Sequence, residues 1–268
     1  MRLNFRDIGC GEPFIVLHGL YGSSDNWMSV GRRLSAQHRM ILVDLRNHGL
    51  SPHSSTHTYQ AMASDVKELI DSEGLNNPCL MGHSMGGKVA MLLATLYPNL
   101  FRKLIVVDIA PSDYGKPHDL NNQLYTSHQG VIDALGSIAT QGLTSRVQAD
   151  MLLAEHIDDL GVRQFLIKNL LPNTRGGYRW KFNLSALSGA LDEVMSNPLN
   201  REPAERVALP TLFIRGDKSP YIGNENLKDI DRYFSNFRVD TVAGAGHWPH
   251  VAKVEAFLSS VVAFLHDG

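Results

Sequence analysis

A serine between glycines, one histidine and two aspartates carry the chemistry this sequence offers. Gly82-His83-Ser84-Met85-Gly86 is a G-x-S-x-G turn. A serine hydroxyl is a weak nucleophile until a neighbouring base takes its proton. His247, in Gly244-Ala245-Gly246-His247-Trp248, is the candidate base. A carboxylate must then hold the imidazole in one tautomer and stabilise the imidazolium. Asp108 and Asp217 each follow an apolar run, and either could supply it. Such a set attacks a carbonyl carbon and passes through an acyl-enzyme. The oxyanion formed on the way needs preorganised N–H donors. Met85, at the start of a predicted helix, offers one. Leu20, in the Gly-rich loop His18-Gly19-Leu20-Tyr21-Gly22-Ser23, offers the second.

These groups work only if the chain places them on one edge. Pro78 to Pro98 reads as a buried strand at Cys79-Leu80-Met81, a tight turn, and a helix with Val89, Leu92, Leu93 and Leu96 on one face. The small neighbours of Ser84 let the backbone fold back and lift the hydroxyl above the sheet. Met1–Ile8 alternates like a strand. The runs Phe14–Leu17, Met40–Val43, Leu104–Val107 and Thr211–Ile214 are continuously apolar, as expected of strands buried on both faces of a parallel sheet. Helices are expected at Asn26–Leu34, after a Thr58 cap and up to Gly74, and near Asn224–Tyr233. A further strand is expected at Arg238–Val242, and a final helix bears Val254, Phe257, Leu258, Val261, Val262 and Leu265.

From Asp113 the pattern changes. Only helical segments are expected as far as Glu205: one with Val147, Met151 and Ala154, one with Val162, Phe165, Leu166 and Leu170 closed by Pro172, and one with Leu184, Leu187, Leu191 and Val194. The fold class is therefore α/β, a mostly parallel central sheet flanked by helices, with core segments 1–112 and 206–268 around a helical lid at 113–205.

Composition narrows the partners. Apolar residues at 43% and charged residues at 19% fit a chain with a sizeable core. A net charge of −2 gives no electrostatic reason to expect nucleic acid or an anionic membrane. No apolar run approaches the roughly 20 residues a membrane span needs. The two cysteines, Cys10 and Cys79, have no metal-site spacing, and Cys79 falls in a buried strand. No disulfide is expected, and a reducing, cytoplasmic setting is.

The chain resembles the α/β-hydrolases along nearly its whole length, and in particular the YbfF-type bacterial esterases and their mitochondrial relatives. The resemblance is carried by His18–Ser23, Asp44-Leu45-Arg46-Asn47-His48-Gly49-Leu50-Ser51-Pro52, Gly82–Lys88, Asp108-Ile109-Ala110-Pro111, Trp180-Lys181-Phe182-Asn183, Ser219-Pro220-Tyr221 and Gly244–Trp248. It implies an esterase or thioesterase acting on small acyl substrates without a cofactor. It also bears on the acid. Most α/β-hydrolases place it where Asp217 stands, whereas YbfF-type members place it where Asp108 stands, and this chain carries aspartate at both.

Candidate substrate contacts are His18, Tyr21, Trp180 and Trp248. His18 reads more readily as a ring pinning its own loop, and Tyr178, Trp180 and Phe182 as apolar core of the insertion. His83 is expected to point into structure. His48 and His250 are expected to pack behind the site, and Asp44 to hold its own loop through Arg46 or Ser51. Serine rather than aspartate in the turn excludes the alkyl-ester chemistry of haloalkane dehalogenases and epoxide hydrolases. A C–C bond hydrolase or perhydrolase on the same triad stays open, as does a non-catalytic binding module.

Overall fold

In the computed structural model, residues 1–115, 123–200 and 205–267 are described. Seven strands form one sheet: β1 (Phe5–Ile8), β2 (Glu12–Leu17), β3 (His38–Val43), β4 (Cys79–His83), β5 (Lys103–Val107), β8 (Thr211–Gly216) and β9 (Phe237–Val242). Their order is β1-β3-β2-β4-β5-β8-β9. Only β1 runs antiparallel to its neighbour. The connecting helices are α1 (Met28–Leu34), α2 (Tyr59–Ser72), α3 (Met85–Leu96), α9 (Asn224–Tyr233), α10 (Pro249–Ala252) and α11 (Val254–His266). Among the described residues no helix is long and apolar enough to cross a membrane.

The apolar runs are continuous because both sheet faces are covered. Ile15 and Leu17 join the core that holds Val66 of α2 and Val89 of α3. Phe14 and Val16, one residue out of phase, join the core that holds Val30 of α1 and Phe257 and Val261 of α11. Thr58 caps α2 as expected, its hydroxyl accepting from Ala61 N at 3.2 Å.

Between β5 and β8 the chain leaves the sheet. It forms α4 (Gln123–Ser137), α5 (Arg146–Ala154), α6 (Leu160–Ile167), strands β6 (Leu170–Pro172) and β7 (Tyr178–Trp180), then α7 (Leu184–Gly189) and α8 (Leu191–Met195). Residues 116–122 and 201–204 of the expected 113–205 insertion lie outside the described residues.

Three expectations for this segment need correction. It is not wholly helical: β6 and β7 pair antiparallel, so Leu170 and Pro172 belong to a hairpin rather than to the preceding helix. Its turn uses Gly176 and Gly177, both at positive φ (97° and 68°), which glycine adopts without strain. The stretch from Leu184 to Val194 is two helices, broken at Ala190 (φ −112°, ψ 11°). On α5 the faces are reversed: Val147 and Met151 are exposed, and Ala149 and Leu153 are buried.

One buried cation ties this segment to the helix that follows the serine. Lys88 of α3 is 1% exposed. Its Nζ donates to the carbonyls of Val194 (3.3 Å), Met195 (3.1 Å) and Ser196 at the end of α8. Tyr59 adds an O–H bond to Val194 O at 2.6 Å. Burial pulls the Lys88 ammonium down to about 7, while Asp113 and Glu193 favour its charge. Lys88→Met keeps most of the volume but leaves these buried carbonyls short of donors. It is expected to cost roughly 3 kcal/mol of stability, read as a lower midpoint in urea unfolding.

Candidate active site

Ser84 sits where β4 turns into α3. Its φ of 51° and ψ of −121° are those of a strained, non-helical turn residue. Its own N–H is held by Val107 O at 3.0 Å, and its carbonyl starts the helix by accepting from Lys88 N at 3.0 Å. The glycines are demanded by close approach. A Cβ on Gly82 would lie 2.2 Å from Gly86 O, and one on Gly86 would lie 2.5 Å from His18 O. Only glycine fits at these two positions.

Asp108 follows β5 and is fully buried, also at positive φ (53°). Its N–H donates to Ile214 O at 2.7 Å. Its Oδ1 accepts from Gly216 N at 2.9 Å. Its Oδ2 accepts from the Ser219 hydroxyl and lies 2.8 Å from His247 Nδ1. That contact leaves His247 Nε2 on the side away from the carboxylate, the atom a general base would use. Asp217 is exposed in the turn after β8 and makes no side-chain hydrogen bond or ion pair among the described residues. The structure therefore brings Asp108, not Asp217, to His247.

His247 lies in the loop between β9 and α10. Its carbonyl accepts from His83 Nε2 at 2.8 Å, so His83 braces the loop from beneath. Its ring stacks on Tyr221 at 4.0 Å and 26°. No hydrogen bond joins Ser84 Oγ to His247 among the described residues; such bonds commonly tighten only when substrate is bound.

The Leu20 N–H has no acceptor among the described residues, and the Met85 N–H opens α3, where no intrahelical acceptor exists. Both residues are buried. The loop holding Leu20 is fixed by His18. Its Nδ1–H donates to Gly19 O at 2.8 Å, and its Nε2 accepts from Leu45 N at 3.0 Å. With both ring nitrogens committed and the residue 1% exposed, His18 braces the loop and does not reach a ligand. Trp180 is also away from the cavity, stacked on Phe182 at 5.3 Å. Of the four candidate contacts, only Tyr21 and Trp248 stand on the cavity wall.

Other polar residues go to structure. His48 donates from Nδ1 to Arg46 O at 2.9 Å and accepts from Tyr21 N at 3.3 Å. His250 stacks on Trp27 at 4.2 Å. Asp44 holds its own loop through Leu50 N (2.9 Å) and ties it to the loop after β2 through Ser24 N (2.7 Å). Arg46 instead pairs with Asp65, and Ser51 reaches the Asp44 carbonyl. Among the described residues no group of three His, Cys, Asp or Glu side chains is arranged to hold a metal.

The cavity over Ser84 and His247 measures about 200 Å³. Its far wall comes from the segment between β5 and β8: Leu124, Ser127, His128 and Val131 of α4, and Val162, Phe165 and Leu166 of α6. A larger open groove of about 500 Å³ adjoins it between α4 and the α5–α6 loop, sharing Ser127, Val131 and Val162. His128 and Phe165 are cavity residues, and Ser219 is a partner of the acid, beyond those expected from the sequence. Ser219 had a usable signal, since a buried strand-end carboxylate needs donors and the next loop must supply them.

Burial holds many of the histidines neutral. It lowers His18, His48 and His83, takes His57 and His128 down to about 4, and takes His250 to about 3. An unfolded chain binds those protons near pH 6.5, before the folded one does. Their contribution to stability is thus complete above about pH 7 and is lost as pH falls through 6.5 towards 4. Thermal unfolding followed by circular dichroism should show a Tm about 5 °C or more lower at pH 5 than at pH 7.5.

Residues 12–135 match the family described as alpha/beta hydrolase fold. The chain is 36% identical over 263 residues to the sn-1-specific diacylglycerol lipase ABHD11 of Xenopus tropicalis, covering 96% of this chain and 79% of that protein. It is 33% identical over 256 residues to esterase YbfF of Escherichia coli strain K12, covering 96% and 94% respectively. The solved structure of a marine microorganism esterase superposes with a TM-score of 0.94 at 37% identity, over 98% of this chain and 99% of that one.

Proposed function

The chain belongs to the α/β-hydrolase family and is a hydrolase of ester bonds, and from that premise we propose that it cleaves small carboxylic esters and thioesters through an acyl-enzyme on Ser84. His247 Nε2 takes the Ser84 proton as Oγ attacks the carbonyl carbon. The N–H groups of Leu20 and Met85 bind the oxyanion, each contributing about 3 kcal/mol in the transition state. His247 then protonates the leaving alcohol or thiol. In the second half it takes a proton from water as that water attacks the acyl carbon, then returns the proton to Ser84 Oγ as the acid leaves. Asp108 holds the imidazole tautomer and balances the imidazolium charge.

The observation that carries this reading is the Asp108–His247 contact of 2.8 Å beside a serine at φ 51°. A cavity of about 200 Å³ lies below the ~300–1,000 Å³ of sites for drug-sized ligands, which favours short acyl groups. In this reading the segment from α4 to α8 acts as the lid, and a longer chain would have to run out into the groove beside α4.

The test uses p-nitrophenyl butyrate and butyryl-CoA as ester and thioester, with a fluorophosphonate as a serine-directed label. Turnover of the first is expected, with one label per chain, on Ser84. Turnover of butyryl-CoA is expected as well, and its absence would confine the activity to oxygen esters. Hydrolysis with the label on another residue would overturn the assignment of Ser84.

A further inference from the structure

The backbone donor assigned to Leu20 stands at the head of a short chain of hydrogen-bonded peptides. Its N–H belongs to the Gly19–Leu20 peptide, whose carbonyl accepts from Gly22 N–H at 2.9 Å. That bond closes a tight turn from Gly19 to Gly22. It leaves the Leu20 N–H pointing away from the turn, since C=O and N–H oppose each other across a trans peptide. The Gly22 N–H in turn belongs to the Tyr21–Gly22 peptide. The carbonyl of that peptide, Tyr21 O, accepts from Asn169 Nδ2–H at 2.8 Å in a buried contact. Asn169 is 2% exposed and stands between α6 and β6, in the segment between β5 and β8.

The turn does not hold itself. Tyr21 takes its third place at φ 61°, where glycine or asparagine is favoured. A larger side chain is kept in that conformation only where the surroundings fix the backbone. Two side chains do so. His48 Nε2 accepts from Tyr21 N–H at 3.3 Å, and Asn169 donates to the Tyr21 carbonyl. The orientation of the Asn169 amide is set by its partners, because Nδ2 also meets the Phe165 carbonyl at 3.3 Å and a carbonyl only accepts. The Asn169 backbone is anchored as well. Its N–H donates to Leu166 O at 2.9 Å, and its carbonyl accepts from Lys181 N–H at 2.8 Å. Hydrogen bonds in such a chain polarise one another, so the Asn169 amide both fixes the turn and strengthens the donor at its far end.

We propose that Asn169 is a positioning residue for the oxyanion. Through the Tyr21 and Gly19 carbonyls it sets the direction and strength of the Leu20 N–H, so the oxyanion site is complete only while the segment between β5 and β8 is seated. The inference rests on ester hydrolysis at Ser84 with Leu20 as a donor. Asn169 does not line the cavity over Ser84, so the effect of changing it passes through the turn.

The experiment measures kcat and KM for p-nitrophenyl butyrate, and inhibition by a trifluoromethyl butyl ketone, which forms an oxyanionic hemiketal on a reactive serine. The proteins are wild type, Asn169→Ala, Asn169→Asp and Lys181→Met, with folding checked by circular dichroism. Asn169→Ala removes the donor, and Asn169→Asp keeps its size but turns an acceptor towards Tyr21 O. Lys181→Met breaks a neighbouring tie to the core, the 2.7 Å ion pair with Asp25, and leaves the turn untouched. Both Asn169 variants are expected to lose about 10- to 100-fold in kcat, less than the ~10²–10³-fold that follows removal of an oxyanion donor itself. KM should stay within about twofold, and inhibition by the ketone should weaken by the same factor as kcat, because only oxyanion binding is affected. Lys181→Met should stay within about twofold of wild type throughout. Either Asn169 variant decides the matter should the other fail to fold. An unchanged kcat, a loss carried by KM, unweakened inhibition, or an equal loss in Lys181→Met overturns the proposal. A wild type inactive on the ester would instead overturn the ester-hydrolysis reading itself, and the role of Asn169 with it.

Discussion

Asp108→Asn is expected to lower kcat on a short p-nitrophenyl ester by roughly 10⁴-fold, while Asp217→Asn stays within about twofold of wild type. The difference follows from what each side chain touches. In Asp108→Asn the amide oxygen can still accept from Gly216 N–H, the bond now made by Oδ1. The amide nitrogen then faces Ser219 and His247 Nδ1, in place of Oδ2. As a donor it selects the tautomer with the proton on His247 Nε2, where a base needs a lone pair. The backbone is spared, because asparagine tolerates the φ of 53° found at this position. Circular dichroism should therefore match wild type. Asp217 is exposed and away from the histidine, so its neutral analogue changes little. Equal losses in both variants would contradict this assignment.

Ser84→Ala is expected to be more severe, with kcat reduced by about 10⁶-fold. If the acyl bond forms on Ser84 as proposed, what remains is whatever the Leu20 and Met85 N–H groups and the cavity do for attack by water. The fluorophosphonate label should be lost in step with activity. Retention of more than about a hundredth of wild-type turnover would mean that the reaction does not pass through Ser84.

The ambiguity between the two aspartates shows how far the sequence carried and where it stopped. β5 and β8 are parallel neighbours, with Val107 opposite Ile214. Asp108 and Asp217 thus leave the same edge at nearly the same level, and hydrophobic patterning treats them alike. The choice is made by loop backbone. Asp108 turns under at positive φ into the donors of the β8 loop, whereas the chain at Asp217 runs outward, its N–H on Val242 O at 3.2 Å. Such conformations leave no periodic trace.

The buried strands were legible because burial on both faces writes unbroken apolar runs. The serine turn was legible because its close approaches leave room only for glycine. Between β5 and β8 the signal weakened. On α5 the periodic Val147 and Met151 face outward, and the buried side is the smaller Ala149 with Leu153. α4 falls within the general expectation of helix from Asp113 to Glu205 but was not singled out, although it supplies His128. Its identity as cavity wall depends on how it packs over the sheet edge, which no local pattern states.

Ser84 and Asp108, at the ends of adjacent strands, both hold backbone conformations that side-chain-bearing residues avoid. Each such position costs on the order of 1–3 kcal/mol. On the proposed mechanism, the most reactive part of the protein is thus also a standing weakness in its architecture. A selection that rewarded heat resistance and ignored turnover would have reason to replace these two residues first, with glycine. Conversely, an engineer seeking a tougher catalyst should leave this edge alone and gain stability elsewhere, in loops and helix ends remote from it.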